Sequence, residues 1–177
     1  MDRVPADRLE ANRLFFVTVS TAHRKPVFTN SAVALAVVET MAFYAQRGQA
    51  PLIAYVVMPD HLHVLVYPRS PLTISRWVGQ VKSYSTHRIG IGTFWQEGCW
   101  SEIVLHDRFL QQKLVYVHDN PVRVGLAESP HTYPWSSAAE YYNESFRIVT
   151  PYWKIALDGS ADTHDGTSGA AGSSPPL

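Results

Sequence analysis

The sequence predicts an α+β fold of the ferredoxin-like, split βαβ type: a four-stranded antiparallel sheet with two helices on one face and its other face free. Three observations carry that prediction. Apolar periodicities follow one another in the order strand, helix, strand, strand, helix, strand. Two apolar, β-branched runs, 53–58 and 61–67, flank Pro59-Asp60 and read as a tight hairpin. On either side of that hairpin lies a long amphipathic stretch opened by a capping residue.

Residues 1–12 are mixed and charged, a loose lead-in. Leu14-Phe15-Phe16-Val17-Thr18-Val19-Ser20 is a continuous apolar strand, as expected of a central, covered position. A basic loop with His23-Arg24-Lys25-Pro26 follows. Ser31 is placed to cap a helix reaching about Gln46, with Val33, Val37, Thr40, Met41 and Tyr44 on its buried stripe, and Gly48 ends it. After the hairpin, Pro68 and Pro71 mark a turn. Thr73 caps a second helix over 74–89, whose inner face is tracked by Ile74, Trp77, Val78, Val81 and Tyr84 or Ser85. Gly90 and Gly92 open a loop carrying Phe94-Trp95-Gln96-Glu97-Gly98, and 102–105 reads as an edge strand. A third helix covers 107–119 and is stopped by Pro121. A Pro-punctuated loop over 122–135 and a short helix over 136–142 complete the domain, assigned to 1–157. Residues 158–177 are rich in Gly, Ser, Ala, Asp, Thr and Pro, a composition that cannot bury enough surface to order itself. This stretch is expected to be a disordered tail.

A chain of 177 residues has room for one cored domain. Neither a membrane-spanning run nor a secretory leader is legible, and one cysteine, Cys99, excludes a disulfide framework. Cytoplasmic location follows as an expectation, with Cys99 a packing residue. Net charge is zero, which argues against a protein that coats duplex DNA. All fifteen Lys and Arg nevertheless lie before Asp158 with only twelve of the acids, so residues 1–157 carry +3. That bias is compatible with a local nucleic-acid groove.

Alternation along the second hairpin strand puts His61, His63 and Leu65 on one face, with the two imidazoles about 7 Å apart. Such a pair suits a divalent metal, although the same spacing also suits two half-exposed strand histidines. On the third helix, Tyr116 and Asn120 lie about 40° apart on one flank, with Phe109 and Lys113 nearby, while His118 faces the far side. A tyrosine one turn from an amide and brought to a two-histidine metal makes chemical sense. The hydroxyl, with a pKa of about 10, is a poor nucleophile unless its target is polarised. On spacing alone, with nine tyrosines to house, Tyr116 reads more readily as a core-edge aromatic.

Four motifs stand in order along the chain: Met58-Pro59-Asp60-His61-Leu62-His63-Val64-Leu65-Val66, Phe94-Trp95-Gln96-Glu97-Gly98, Gln112 through Leu126 with Tyr116-Val117-His118-Asp119-Asn120-Pro121, and Tyr133-Pro134-Trp135-Ser136-Ser137. Together they resemble those of the REP-associated tyrosine transposases, of the HUH single-tyrosine group acting on single-stranded DNA. The resemblance spans roughly 14–142. It implies His61 and His63 as the histidine pair, Tyr116 as nucleophile and Asn120 as third metal ligand, with the Tyr116 helix near the free sheet face. It also implies Mg²⁺ or Mn²⁺ as cofactor, and a bacterial, nucleoid-associated protein. The expected activity is cleavage and rejoining of single-stranded DNA at REP-like hairpins through a 5′-phosphotyrosine, in DNA transposition or recombination. Monomers and homodimers are both compatible with it. Trp100-Ser101 departs from the His-Pro of many relatives, and the neutral charge is less basic than the family pattern.

Lys82, Tyr84, Lys113 and Arg123 are the candidate DNA contacts: the cations for backbone phosphates, Tyr84 for base stacking. Two other classes compete. A non-catalytic hairpin-binding module would use Tyr84, Trp95 and Trp100 to stack bases. A metal-dependent hydrolase would act through water and stay active without Tyr116.

Overall fold

In the computed structural model the described residues are 11–155; the tail assignment over 158–177 lies outside them. The elements are β1 (Phe15–Ser20), α1 (Ser31–Gln46), β2 (Leu52–Met58), β3 (His61–Val66), α2 (Ile74–Ile89), β4 (Trp100–Ile103), α3 (Asp107–Arg123) and α4 (Ala138–Tyr142). The sheet is antiparallel in the order β2-β3-β1-β4. Architecture and element order are those the sequence predicts.

Period-two alternation sorts the strand residues between two cores. Phe15, Val17, Val19, Tyr55, Val57, Leu62, Val64 and Val66 pack with α1 and α2. Phe16, Ala54, Val56, Met58 and Leu65 face the other way, against Leu110 and Val117 of α3. The second face is therefore covered, against the expectation of a free one. That face carries Phe16 of β1, Leu65 of β3, Ile53, Val56 and Met58 of β2, with Leu14 and Tyr67 beside them, and such surface cannot be left in water.

The helix starts follow capping chemistry. Asn30, not Ser31, caps α1, its side chain accepting from Ala32 N–H. Thr73 caps α2 as expected, accepting from Arg76 N–H. Pro121 does not stop α3, which runs to Arg123. The stop is Gly125, at φ 73°, in a Schellman turn: Leu126 N–H bonds the Pro121 carbonyl and Gly125 N–H that of Val122. A proline near a helix end removes only one donor, and the left-handed glycine decides the terminus.

β4 begins at Trp100, two residues before the predicted strand. The lead-in is tied down at its end, with Ala11 buried and Asn12 bonded to Pro68 and Ser70. The Tyr-Pro-Trp-Ser-Ser motif closes the β2 edge. Val57 N–H bonds the Trp135 carbonyl, Ser137 N–H the Tyr55 carbonyl, and the Tyr133 hydroxyl the Val57 carbonyl. Such pairing removes the liability of an apolar edge strand.

Candidate active site

The hairpin turn sets the site. Pro59-Asp60 joins Met58 to His61, and the antiparallel register places His63 between Val56 of β2 and Thr18 of β1. His61 and His63 thereby share the face that α3 covers. Their Nε2 atoms converge to 3.1 Å. Each ring is held from behind: Asp60 Oδ1 lies 2.5 Å from His61 Nδ1, and Thr18 Oγ1 lies 2.8 Å from His63 Nδ1. Asp60 is fixed in turn by Arg24 Nε at 2.9 Å, and Thr21 donates to its backbone carbonyl through both N–H and hydroxyl. The basic loop is thus a buttress for the turn.

Protonation follows from these partners. A carboxylate only accepts, so His61 Nδ1–H donates to Asp60. His63 is 6% exposed, and burial, then its neighbour His61, lowers its pKa to about 3. The ring is neutral at neutral pH. Thr18 can donate to or accept from it, and so serves either tautomer. With Nδ1–H on both rings, two Nε2 lone pairs would face each other across 3.1 Å, an arrangement that a proton or a cation between them relieves. The separation is close to the ~3.0 Å between adjacent corners of an octahedron with ~2.1 Å bonds. The donor pair therefore fits a divalent cation. Among the described residues no third His, Cys, Asp or Glu completes a group with them. Asn120, buried on α3, donates its Nδ2 to the Tyr116 carbonyl at 3.3 Å and keeps its amide oxygen for another partner. An amide oxygen is a donor type that hard divalent cations accept.

Tyr116 stands beside His63. Its ring centroid is 5.2 Å from that of His63 and 5.9 Å from that of Phe16, edge-on to both, and the residue is 37% exposed. Val117, next in sequence, is fully buried and fixes the rotation of α3 on the sheet. The Arg123 guanidinium lies 5.9 Å from the Tyr116 ring centre.

The family model for IS200-like transposases matches residues 14–115. The chain belongs to the IS200-like transposase family. The match takes in His61 and His63 and ends one residue before Tyr116. Over 117 residues the chain is 24% identical to the REP-associated tyrosine transposase of Escherichia coli K12, an alignment covering 66% of each protein. A solved structure of a REP-associated tyrosine transposase bound to a REP hairpin superposes with a TM-score of 0.64 at 20% identity. It covers 93% of this chain and 94% of that one.

Not every predicted contact of this IS200-like chain gathers at the histidines. Arg123 does, through Tyr116. Lys113 is near but committed, 3.0 Å from Glu102 Oε2 and over the rings of Phe16 and Phe109. Lys82 is bound to the carbonyls of Gln96, at 2.7 Å, and Gly98, and burial lowers its pKa. It pins the 94–98 loop. Tyr84, although exposed, packs on Tyr44 in the helical layer, across the sheet from the histidines. Trp95 is buried, its Nε1–H donating to Ser85, so it offers no stacking face. Cys99 is exposed rather than packed. His118 faces away from the site, as its helical angle requires, with Nε2 2.9 Å from Ser137 Oγ. Sequence reasoning missed Thr18, Asp60, Arg24 and Phe16. Asp60 reads as a turn former, Thr18 and Phe16 become neighbours of His63 only through register, and Arg24 reaches Asp60 from the basic loop.

Proposed function

We propose that this IS200-like transposase cuts and rejoins single-stranded DNA at hairpin sequences, with Tyr116 as nucleophile and His61, His63 and Asn120 as the metal-binding set. The observation that carries the reading is the Tyr116 ring 5.2 Å from the ring of His63, whose Nε2 lies 3.1 Å from that of His61. A divalent ion such as Mg²⁺ or Mn²⁺ would supply charge neutralisation at a phosphate oxygen. The chain's own residues do the rest. Asp60 and Thr18 hold the imidazoles so that their Nε2 lone pairs point outward. Arg123 places a cation beside Tyr116, where the phosphate must come within near-attack distance. Tyr116 Oη attacks phosphorus and loses its proton to solvent. The bond to the 3′ oxygen breaks, that oxygen takes up a proton, and the 5′ end is left esterified to tyrosine. Attack on the ester by a 3′-hydroxyl rejoins the strand and restores Tyr116. Likeness to a transposase described with a REP hairpin supports an imperfect palindrome as the substrate.

The test is incubation of the protein with labelled hairpin DNA carrying a single-stranded flank and Mn²⁺. A covalent adduct that survives boiling in detergent is expected, and its loss in Tyr116→Phe. Cleavage by Tyr116→Phe at the parent rate would turn the reading to a water-based hydrolase. Binding without any cleavage would leave a hairpin-binding module.

A further inference from the structure

We infer that Trp100 is a base-stacking site for the single strand, holding a nucleotide beside the one whose phosphate reacts. The inference rests on the single-stranded DNA reading above and adds to it the place where an unpaired base sits. Antiparallel register puts Val56, His63, Thr18 and Trp100 in one row across the sheet, so the indole lies on the same face as the histidines. Two strand spacings, about 10 Å in all, separate Trp100 from His63. That distance is too long to touch the reacting phosphorus and suited to a neighbouring base.

Phe16 joins the two places. Its ring stacks on His63 at 5.5 Å, meets Tyr116 edge-on at 5.9 Å and meets Trp100 edge-on at 5.7 Å. The Lys113 ammonium lies 5.4 Å from the Trp100 ring centre and is itself held by Glu102. The indole is therefore braced by an aromatic edge and a cation while 52% exposed. Trp77 and Trp95, by contrast, are buried in the helical core. A braced, solvent-facing ring pays little ordering entropy when a flat partner lands on it. A nucleobase is the flat partner that the adjacent nucleophile calls for. The Lys113–Glu102 pair is internally neutralised, so the contact is one of stacking rather than of phosphate charge.

The experiment measures binding in the Tyr116→Phe background, where no turnover intervenes, by fluorescence anisotropy of labelled hairpin DNA with a single-stranded flank. Trp100→Ala should weaken binding by about 5- to 150-fold, the range of one base–aromatic stack, and Trp100→Tyr should restore most of it. Abasic substitution, moved one position at a time along the flank, provides a probe that leaves the protein intact. At one position near the cleavage point it should weaken the Trp100-bearing protein and add nothing to Trp100→Ala. If Trp100→Ala binds as the parent does, or if the two losses add at every position, the stacking site is wrong while single-strand binding stands. If the parent binds no single-stranded flank at all, the functional reading falls with it.

Discussion

Replacing Thr18 by Val isolates the support behind His63. The two side chains are nearly isosteric and both suit a strand, so the sheet is kept while one hydroxyl is lost. Thr18 Oγ1 sits 2.8 Å from Nδ1 of a ring that is 6% exposed. Without it that nitrogen is buried with no partner, a cost of about 1–3 kcal/mol. For a chain of this size each kcal/mol moves the melting midpoint by about 2–4 °C. The larger effect falls on the pair, because an unheld ring no longer directs Nε2 at the shared point. Loss of such a support commonly lowers metal affinity about 10- to 100-fold. Calorimetric titration with Mn²⁺ and thermal unfolding of the metal-free protein read the two effects separately. Thr18→Ser, which keeps the hydroxyl, should behave as the parent. If Thr18→Val binds Mn²⁺ as tightly as the parent, the idea that Thr18 orients the His63 ring is refuted.

The other expectations concern the frame. Tyr133→Phe leaves the Val57 carbonyl without its hydroxyl donor and should cost about 1–3 kcal/mol in denaturant unfolding, since the group is buried at the β2 edge. Lys82→Met should loosen the 96–98 loop, seen as faster amide exchange, and leave the salt slope of DNA binding unchanged because its ammonium is already bound. Arg123→Ala should lower affinity for every single-stranded sequence and reduce that slope by about one. Burial lowers the pKa of His118 to about 4 and that of His63 to about 3, both from 6.5. Below 6.5 the unfolded chain takes up protons that the folded chain refuses. The stability they confer is therefore complete above about pH 6.5 and falls as pH drops through 4 toward 3. Melting midpoints across that range should fall less steeply in His118→Gln.

The strands and the two long helices were legible because periodicity and caps are local: Thr73 and Gly48 act within a few residues of themselves. His61 and His63 were legible for the same reason, sharing a strand face by a count of two, and Tyr116 and Asn120 by a count of four on one helix. Whatever depends on register was not. Thr18 is 45 residues from His63 in the chain and touches it only because β1 pairs with β3. Lys82 reads as a cation free for a backbone phosphate, but the loop folds back to offer it two carbonyls, and Tyr84 sits on a helix whose layer the sequence alone does not tie to the site. Pro121 misled for a different reason: its local effect is real, but one missing donor near a helix end is outweighed by the packing of Val117 and the glycine that follows.

The nucleophile candidate and the histidine pair belong to one polypeptide and already touch through the rings of Tyr116, Phe16 and His63. A site assembled this way has fixed stoichiometry. If this is the reacting arrangement, dilution should not take it apart, and mixing with an inactive copy should not repair it. Chemistry limited to one site should thus be first order in protein down to the lowest concentrations that still bind substrate. A preparation in which half the molecules carry Tyr116→Phe and half His63→Ala should stay as dead as either alone.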